Sequence, residues 1–311
     1  MKNLSIIIPH KNSFQSLVNL LNSINNEASG VDIIIIDDNS EADVKLLIER
    51  EIKDIEKKFK ANTFSFLSSE DSYAGGARNL GIKKAHSKWI LFADADDYFL
   101  PNWFKHVSQY FNSSAELIYF SPTSFNLESQ NVGSRHLFFE QCVIEGLQNK
   151  KNAINRLKVS VFPPWSKLIK SELIEKNQIE FDQTLVSNDV MFSLKVALHA
   201  NKILLSNEKI YCVTENSVSL TATPSLEKMK VRSKVASDFN QYLKRNTKLY
   251  NDYYMSGWEW FRFALKNNLS VPDLRNLKKY IKELELPLYP KPVFKKIKAF
   301  IGFNFFFIKG K

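Results

Sequence analysis

The stretch ILFADADDY, residues 90–98, runs from an apolar segment directly into three aspartates, Asp94, Asp96 and Asp97. Such an apolar run is typical of a buried strand, and a buried strand normally leaves through an uncharged turn. The carboxylates therefore indicate either a solvated turn or a site that holds a cation. A lone Asp-x-Asp pattern is frequent by chance, so the surrounding segments decide between the two.

The first hundred residues alternate strand and helix signals. Short apolar runs rich in β-branched residues predict strands buried on both faces, and the segments between them carry apolar residues at helical spacing. This alternation predicts an α/β fold with a mainly parallel sheet covered by helices. The predicted strands are 4–10, 31–38, 63–67 and 89–93, and the predicted helices follow Ser13, span 41–59, and follow a glycine turn within 74–85.

Polar residues stand at the carboxyl ends of three of these strands. The first strand ends at Pro9-His10, the second at Asp37-Asp38 and the fourth at Asp94-Ala95-Asp96. Ligands of open α/β sheets bind outside the carboxyl ends of the strands, and those ends lie at one edge when the strands are parallel. We therefore expect these residues to form one site.

Each group in this set has a chemical role and a structural alternative. The hard carboxylate oxygens of Asp96, and less directly those of Asp94, suit Mg²⁺ or Mn²⁺ bound to a phosphate. Asp38 can accept hydrogen bonds from nucleobase N–H groups, whereas helix capping is the alternative for its segment. Gly75-Gly76 allow close backbone approach to a ligand. Arg78 offers a fork of donors to phosphate, or else forms an ion pair with an acidic neighbour.

The rest of the chain changes pattern. A further strand is predicted at 115–126, a helix in the segment VSNDVMFSLKVALHANK, short strands within 202–214, and helices from about 225. We place the boundary near 222. The domains expected are 1–222, an α/β domain that carries the site, and 223–311, a helical region with a basic, aromatic tail.

Composition restricts the class of protein. The chain has 311 residues, 44% of them hydrophobic, and a formal net charge of +10, which favours an anionic partner: nucleic acid, a phosphate-bearing small molecule or a membrane surface. It has no apolar stretch of 18 residues and no signal-peptide pattern, so we expect a cytoplasmic location. Cys142 and Cys212 are predicted to be buried free thiols.

Four motifs in this order resemble the inverting family 2 glycosyltransferases with the GT-A fold. They are IIPHKN (7–12), IIDDNS (35–40), YAGGARNLGIKKA (73–85) and ILFADADDY (90–98), and the match covers nearly all of residues 3–105. Lys11 departs from the family pattern, which has an aromatic residue there beside the base.

The resemblance implies roles for the motif residues. Pro9 and His10 would line the base pocket, largely through backbone atoms. Asp38 would recognise the base, and Arg78 would orient the nucleotide. At the Asp-x-Asp motif, Asp94 would lie near the ribose and support the metal. Asp96 would coordinate Mn²⁺ or Mg²⁺ on the diphosphate.

The resemblance also implies a catalytic base in the second half of the domain. In LVSNDVMFSLK (185–195), Asp189 occupies the base position and Asn188 replaces the usual glutamate. The alternative is a first-turn aspartate favoured by the helix dipole. Trp165 would stack on an acceptor sugar and Lys167 would approach the diphosphate, unless the tryptophan belongs to the core and the lysine is solvated.

The implied function is metal-dependent, inverting transfer of a sugar from a nucleotide-diphosphate donor, expected to be a UDP-sugar. The acceptor would be a hydroxyl of a glycan or a lipid-linked glycan in bacterial surface polysaccharide, lipopolysaccharide or capsule synthesis, and no nucleic acid is expected as a partner. The tail, 289–311, with six lysines and no acidic residue, favours an anionic membrane surface. The alternatives are a nucleotidyltransferase, against which PHKNSF lacks a glycine, and a non-catalytic binding module.

Overall fold

A computed structural model describes residues 2–25, 28–58, 62–69, 73–215 and 225–289. Contacts divide the chain into two units, the first formed by 1–183 and 192–215 and the second by 184–191 and 216–311. The predicted boundary near 222 and the tail after Tyr289 lie outside the described residues. Cys142 and Cys212 are buried free thiols, as predicted.

One sheet of nine strands forms the centre of the first unit, within the described ranges. Its order is β3-β2-β1-β4-β8-β6-β9-β5, with β7 paired to β6. The strands β1 to β4 are parallel, as the alternation predicts, and β8 joins β4 in the antiparallel direction. The strands are β1 (Leu4–His10), β2 (Val31–Asp37), β3 (Thr63–Ser68), β4 (Trp89–Phe92), β5 (Tyr98–Phe99), β6 (Leu117–Asn126), β7 (Asn131–Val132), β8 (Lys167–Lys170) and β9 (Ile203–Glu215).

Helices flank this sheet and bury its apolar side chains. The central strands β1 and β4 are buried along their whole length, which is why their sequences are continuous apolar runs rather than alternating ones. The helices are α1 (Phe14–Asn25), α2 (Ala42–Lys58), α3 (Tyr73–Lys84), α4 (Trp103–Ser108), α5 (Leu137–Leu147), α6 (Ala153–Ser160), α7 (Ser171–Lys176) and α8 (Val190–His199).

The region around the glycines differs from the expectation of a glycine turn. Gly75 and Gly76 lie buried inside the first turns of α3, so the prediction of a turn was wrong. Gly81 explains why α3 packs so closely on the sheet. A Cβ there would lie 2.4 Å from Cγ2 of Ile7 and 2.8 Å from Cδ1 of Ile36. The helix therefore rests directly on β1 and β2.

The expected pair of short strands within 202–214 is one continuous strand, β9. It pairs in parallel with β6, and the register shifts where Ser206 faces Phe120 and Lys209 faces Ser121. The exposed residues Asn207 and Glu208 thus form a bulge instead of a break.

The second unit is helical in its described part after 224, as predicted. Three of its helices begin at a serine whose side chain accepts a backbone N–H: Ser225, Ser256 and Ser270. No helix in the described part of the chain is both long and apolar enough to cross a bilayer. The helices are α9 (Leu226–Asn246), α10 (Tyr250–Tyr253), α11 (Gly257–Lys266) and α12 (Val271–Glu283), and α9, α11 and α12 enclose a core that includes Met229, Phe263, Leu277 and Ile281.

Candidate active site

The carboxyl ends of β1, β2 and β4 lie together at one edge of the sheet. In the parallel register His10 faces Asp37, and Ile7 pairs with Phe92. The chain leaving β4 continues this pairing, because the N–H of Ala93 donates to the carbonyl of Ile7 at 3.1 Å. The strand ends that carry the predicted site residues therefore belong to a single edge.

At the end of β2, Asp37 is fully used by the protein. Its carboxylate accepts the backbone N–H of Ser40 at 3.1 Å and pairs with Nζ of Lys45 at 3.2 Å. Burial favours a higher pKa for Asp37, but the hydrogen bonds from Ser40 and Lys45 outweigh it and the pKa lies below the ordinary value. Asp37 is thus a structural anion that fixes the loop after β2.

His10 is also held within the protein. Its Nε2 accepts the backbone N–H of Ser13 at 3.0 Å, so the proton lies on Nδ1, which faces Oδ1 of Asp37 at 3.4 Å. Burial lowers the pKa of His10 despite this carboxylate, so the ring is neutral near pH 7. The imidazole therefore supports the loop, and a base contact by Pro9 and His10 through the backbone stays a prediction.

Asp38 differs from its neighbour. The side chain is only 7% exposed, and its Oδ1 has no hydrogen-bond partner in the described part of the chain. Burial raises the pKa of Asp38, although the charge of Lys11 and the backbone N–H of Tyr73 oppose this shift. A buried acceptor without a donor costs free energy, about 1–3 kcal/mol, which a ligand N–H would recover.

Arg78 and Asp94 connect α3 to the end of β4. Nη2 of Arg78 donates to Oδ1 of Asp94 at 2.6 Å, and the guanidinium lies 5.3 Å from the ring centre of Phe181. Asn79 binds the backbone of Phe181 twice, through its amide and its carbonyl oxygen. The ion pair with an acidic neighbour is thus present, and its partner is itself one of the predicted site residues.

The segment after β4 forms a tight turn in which Asp97 is the structural member. The N–H of Asp97 donates to the carbonyl of Asp94 at 3.1 Å. The buried Asp97 carboxylate accepts the hydroxyl of Tyr211 at 2.9 Å and the N–H of Thr214 at 2.8 Å. Burial, and then the charges of Asp96 and Asp94, raise the pKa of Asp97 well above its ordinary value. Strand β9 therefore fixes the conformation of this turn.

Asp96 is the exposed member of the turn. The backbone carbonyl of Asp96 accepts the hydroxyl of Thr214 at 2.7 Å. This bond fixes the backbone from which the carboxylate extends. Desolvation by the surrounding protein, and then the charge of Asp94, raise the pKa of Asp96 even though solvent reaches the side chain. An accessible carboxylate whose negative charge is disfavoured is suited to a cation.

The donor set also bears on the kind of metal site. No group of three or more acidic, histidine or cysteine side chains in the described ranges could enclose an ion. Mg²⁺ commonly takes one or two carboxylates and completes its coordination with substrate phosphates and water. Asp96, with Asp94 beside it, fits that arrangement and not an all-protein cage.

Trp165 belongs to the core, which corrects the prediction of an acceptor contact. It is 3% exposed and stacks on Phe139 and on Tyr211, with ring centres 5.6 and 5.8 Å away. A ring with so little exposed surface has none left for a sugar.

Lys167 is likewise interior, so the predicted diphosphate contact has no support in the structure. It is 1% exposed, and its Nζ donates to the carbonyl of Val161 at 2.7 Å and to the hydroxyl of Ser193 at 3.1 Å. The ammonium also faces the rings of Tyr119 and Phe139. Both the phosphate role and the alternative of a solvated lysine were wrong.

Asp189 lies directly before α8, which begins at Val190. Ser187, two residues before Asp189, has a left-handed backbone with φ of 60°, and its carbonyl accepts the N–H of Val190. The predicted place of Asp189 at the start of a helix is thus correct, while its role as the base stays a prediction.

Sequence reasoning missed the residues of β9 and of the loop after β7 that support this edge. Tyr211 and Thr214 hold the aspartate turn, and Arg135 acts on it electrostatically. They are distant in sequence from every motif, and only the pairing of β9 with β5 and β6 brings them there. No local pattern identifies them.

Comparison with known proteins agrees with this architecture. The family model described as "Glycosyl transferase family 2" matches residues 5–177. The poly(ribitol-phosphate) beta-N-acetylglucosaminyltransferase TarS of Staphylococcus aureus is 23% identical over 68% of this chain, which spans only 35% of TarS. The uncharacterized glycosyltransferase EpsJ of Bacillus subtilis is 25% identical over 73% of this chain and 64% of its own length.

A solved structure shares the fold. The crystal structure of S. aureus TarS 1–349 in complex with UDP-GlcNAc has a TM-score of 0.67 with this chain at 17% sequence identity, covering 91% of this chain and 81% of the other. Identity at this level shows the fold alone. The expectation of a GT-A fold with a helical C-terminal region is confirmed.

Proposed function

The chain belongs to glycosyl transferase family 2, and from that premise we propose that it transfers a sugar from a UDP-sugar to a hydroxyl of a glycan or lipid-linked glycan acceptor. UDP is favoured because the TarS structure of the same fold was solved with UDP-GlcNAc. A product in bacterial surface polysaccharide, lipopolysaccharide or capsule is favoured by relatives such as TarS and an amylovoran biosynthesis glycosyltransferase of Erwinia amylovora.

The observation that carries the proposal is the unpaired carboxylate oxygen of Asp38 at the same sheet edge as the exposed carboxylate of Asp96. Oδ1 of Asp38 is buried without a donor in the described ranges, as a site for a nucleobase N–H requires. Asp96 is accessible and its pKa is raised, as a site for a phosphate-bound cation requires. A nucleoside diphosphate supplies both the N–H group and the phosphates.

A divalent metal completes the donor site in this proposal. Asp96 would hold Mn²⁺ or Mg²⁺ together with diphosphate oxygens, with Asp94 supporting it while paired to Arg78. When bound, the ion stabilises the negative charge that develops on the departing nucleoside diphosphate. Arg78 holds the Asp94 carboxylate in place through this ion pair.

Inversion requires a base that removes the proton of the acceptor hydroxyl as the oxygen attacks the anomeric carbon. We assign this role to Asp189, whose position directly before α8 matches the family pattern. The proton passes to the carboxylate, the new glycosidic bond forms, and the bond to the diphosphate breaks.

The tail, 289–311, would bring the enzyme to an anionic membrane surface from the cytoplasmic side, where a lipid-linked acceptor is found.

The test is a donor screen with the purified full chain. UDP-, GDP- and dTDP-sugars are each incubated with Mn²⁺, and release of the nucleoside diphosphate is measured with and without EDTA. Release from a UDP-sugar that EDTA suppresses is expected. Asp189→Asn should abolish release while UDP binding, measured by calorimetry, stays within about twofold.

Two results would contradict the proposal. Full turnover by Asp189→Asn would remove the base assignment. UDP binding by the unaltered chain without any release, over a range of glycan acceptors, would favour a non-catalytic nucleotide-binding module instead.

A further inference from the structure

The loop between β7 and α5 is built around one carboxylate oxygen. Oε1 of Glu215 accepts the backbone N–H groups of Ser134 and Arg135, each at 2.6 Å, and the hydroxyl of Ser124 at 2.9 Å. Three donors on one charged oxygen define the path of the backbone at Arg135.

Gly133 shows that the loop is shaped to this carboxylate. A Cβ at position 133 would lie 2.3 Å from Oε1 of Glu215 and 2.7 Å from Oγ of Ser124. Any side chain at 133 would therefore displace Glu215 or Ser124. The sequence Gly133-Ser134-Arg135 thus wraps around the end of β9.

The same strand end holds the aspartate turn. Thr214 donates its hydroxyl to the carbonyl of Asp96 at 2.7 Å and its N–H to Asp97, while its own carbonyl accepts Nη1 of Arg135 at 3.2 Å. Consecutive residues of β9, Thr214 and Glu215, therefore position both Asp96 and Arg135. The guanidinium and the exposed carboxylate share one support.

Arg135 is held beside this turn by its bond to the carbonyl of Thr214. No salt bridge within 4.0 Å in the described part of the chain includes Arg135. The side chain is half-buried. A guanidinium has five N–H donors, and the bond to Thr214 uses one of them.

We propose that Arg135 binds the diphosphate of the nucleotide-sugar donor beside Asp96, and that Glu215 is the positioning residue that holds Arg135 there. This inference rests on the proposed function. A planar fork of donors matches phosphate oxygens. The neighbouring aspartates repel a diphosphate, so its binding there requires added positive charge. Arg135 supplies that charge from the protein, in addition to any metal.

The first experiment measures UDP binding by calorimetry, with Mn²⁺ and separately with EDTA. Arg135→Gln should weaken UDP binding on the order of 10- to 100-fold in both conditions and raise the KM for the donor more than it lowers kcat. Arg50→Gln, at an exposed position on α2, is the matched control for charge and should bind as the unaltered chain does. Equal UDP affinity of Arg135→Gln and Arg50→Gln would overturn the inference.

The second experiment tests whether Glu215 acts through Arg135. Glu215→Ala should weaken UDP binding, and the double variant Arg135→Gln/Glu215→Ala should bind no more weakly than Arg135→Gln alone. Glu215→Gln, which keeps an acceptor oxygen for the three donors, should retain most of the affinity, and a loss as large as that of Arg135→Gln would overturn the positioning role. Additive losses in the cycle would overturn the role of Glu215.

The outcomes separate this inference from the function on which it rests. If the unaltered chain binds UDP and releases it from a donor while Arg135→Gln is unchanged, the inference fails and the proposed function stands. If the unaltered chain binds none of UDP, GDP and dTDP, both fail.

Discussion

The ends of β2 and β4 each carry two adjacent aspartates, and the protein treats the two pairs differently. At each end one carboxylate is bound by the protein, whereas its neighbour has an unpaired oxygen or is exposed within the described residues: Asp37 and Asp38 at β2, Asp97 and Asp96 at β4. The same sequence feature therefore serves two purposes, and position within the pair is reversed between the two ends.

The electrostatics of the two ends are opposite. Asp37 has a cation, Lys45, among its partners, and its pKa is lowered. Within the described residues, the hydrogen bonds to the Asp97 carboxylate come from uncharged donors, and burial together with the charges of Asp96 and Asp94 raises its pKa. The end of β2 is thus balanced and needs only a neutral N–H group, whereas the end of β4 carries negative charge that calls for an added cation.

The largest effects are expected from substitutions of Asp96 and Asp97 after β4. Asp96→Ala should lower turnover about 10²- to 10⁴-fold, because the cation on the diphosphate loses its protein ligand, and should leave the melting temperature nearly unchanged. Asp97→Ala should keep most Mn²⁺-dependent UDP binding but lose about 1–3 kcal/mol of stability, because the donors of Tyr211 and Thr214 both lose their acceptor.

Donor turnover assays and thermal unfolding of the same preparations measure both quantities. Metal-dependent UDP binding by Asp96→Ala at the level of the unaltered chain would refute the assignment of the cation to the β4 end.

A smaller effect is expected at β2. Asp38→Ala should weaken UDP binding about 10-fold with little net change in stability, because removing the buried, unpaired Oδ1 offsets the loss of the hydrogen bond from the N–H of Tyr73. Asp37→Ala should instead cost on the order of 3 kcal/mol in the free energy of unfolding, because it leaves the N–H of Ser40 and Lys45 without their anion. Denaturant unfolding and calorimetry distinguish the two, and a destabilised Asp38→Ala would show that its carboxylate has a structural role.

The smallest effect concerns pH. The folded-state pKa of Asp96 lies above its ordinary value of 3.8, so ionisation of Asp96 opposes folding at neutral pH and ceases to do so as the pH falls through the raised pKa. Asp96→Asn without metal should therefore melt slightly higher than the unaltered chain at pH 7.5, by no more than about 2 °C because solvent screens the group. The difference should vanish below pH 3.8.

Melting curves of the two proteins across pH 3.5–7.5 test this difference, since the contributions of all other groups are common to both. A difference of the opposite sign at pH 7.5 would mean that the charge of Asp96 is already balanced within the protein.

The strands were predictable because their sequences leave little choice. The run in β1 and the isoleucines of β2 are buried almost completely, and a segment that is apolar on both faces fits only the interior of a parallel sheet. Register and edge then follow from parallel pairing. The polar ends could be assigned to one site for the same reason.

The failures came where tertiary contacts override local pattern. Glycine disfavours helix, yet α3 includes Gly75 and Gly76 because the helix is anchored by the bonds of Arg78 and Asn79 to other segments. A lysine is ordinarily solvated, yet Lys167 is buried, with its Nζ donating to the carbonyl of Val161 and the hydroxyl of Ser193. The partners Phe181 and Ser193 come from segments that are distant in sequence.

The close packing of α3 on the sheet has a consequence for how this sequence can drift. Position 81 is closed to any side chain as long as Ile7 and Ile36 keep their size, and both are β-branched residues of rigid strands. A side chain at 81 would therefore be tolerated only together with smaller residues at 7 and 36, so these three positions are expected to change together. Gly81 lies about one helical turn from Arg78, so a residue that forced α3 away from the sheet would also shift the segment that pairs with Asp94.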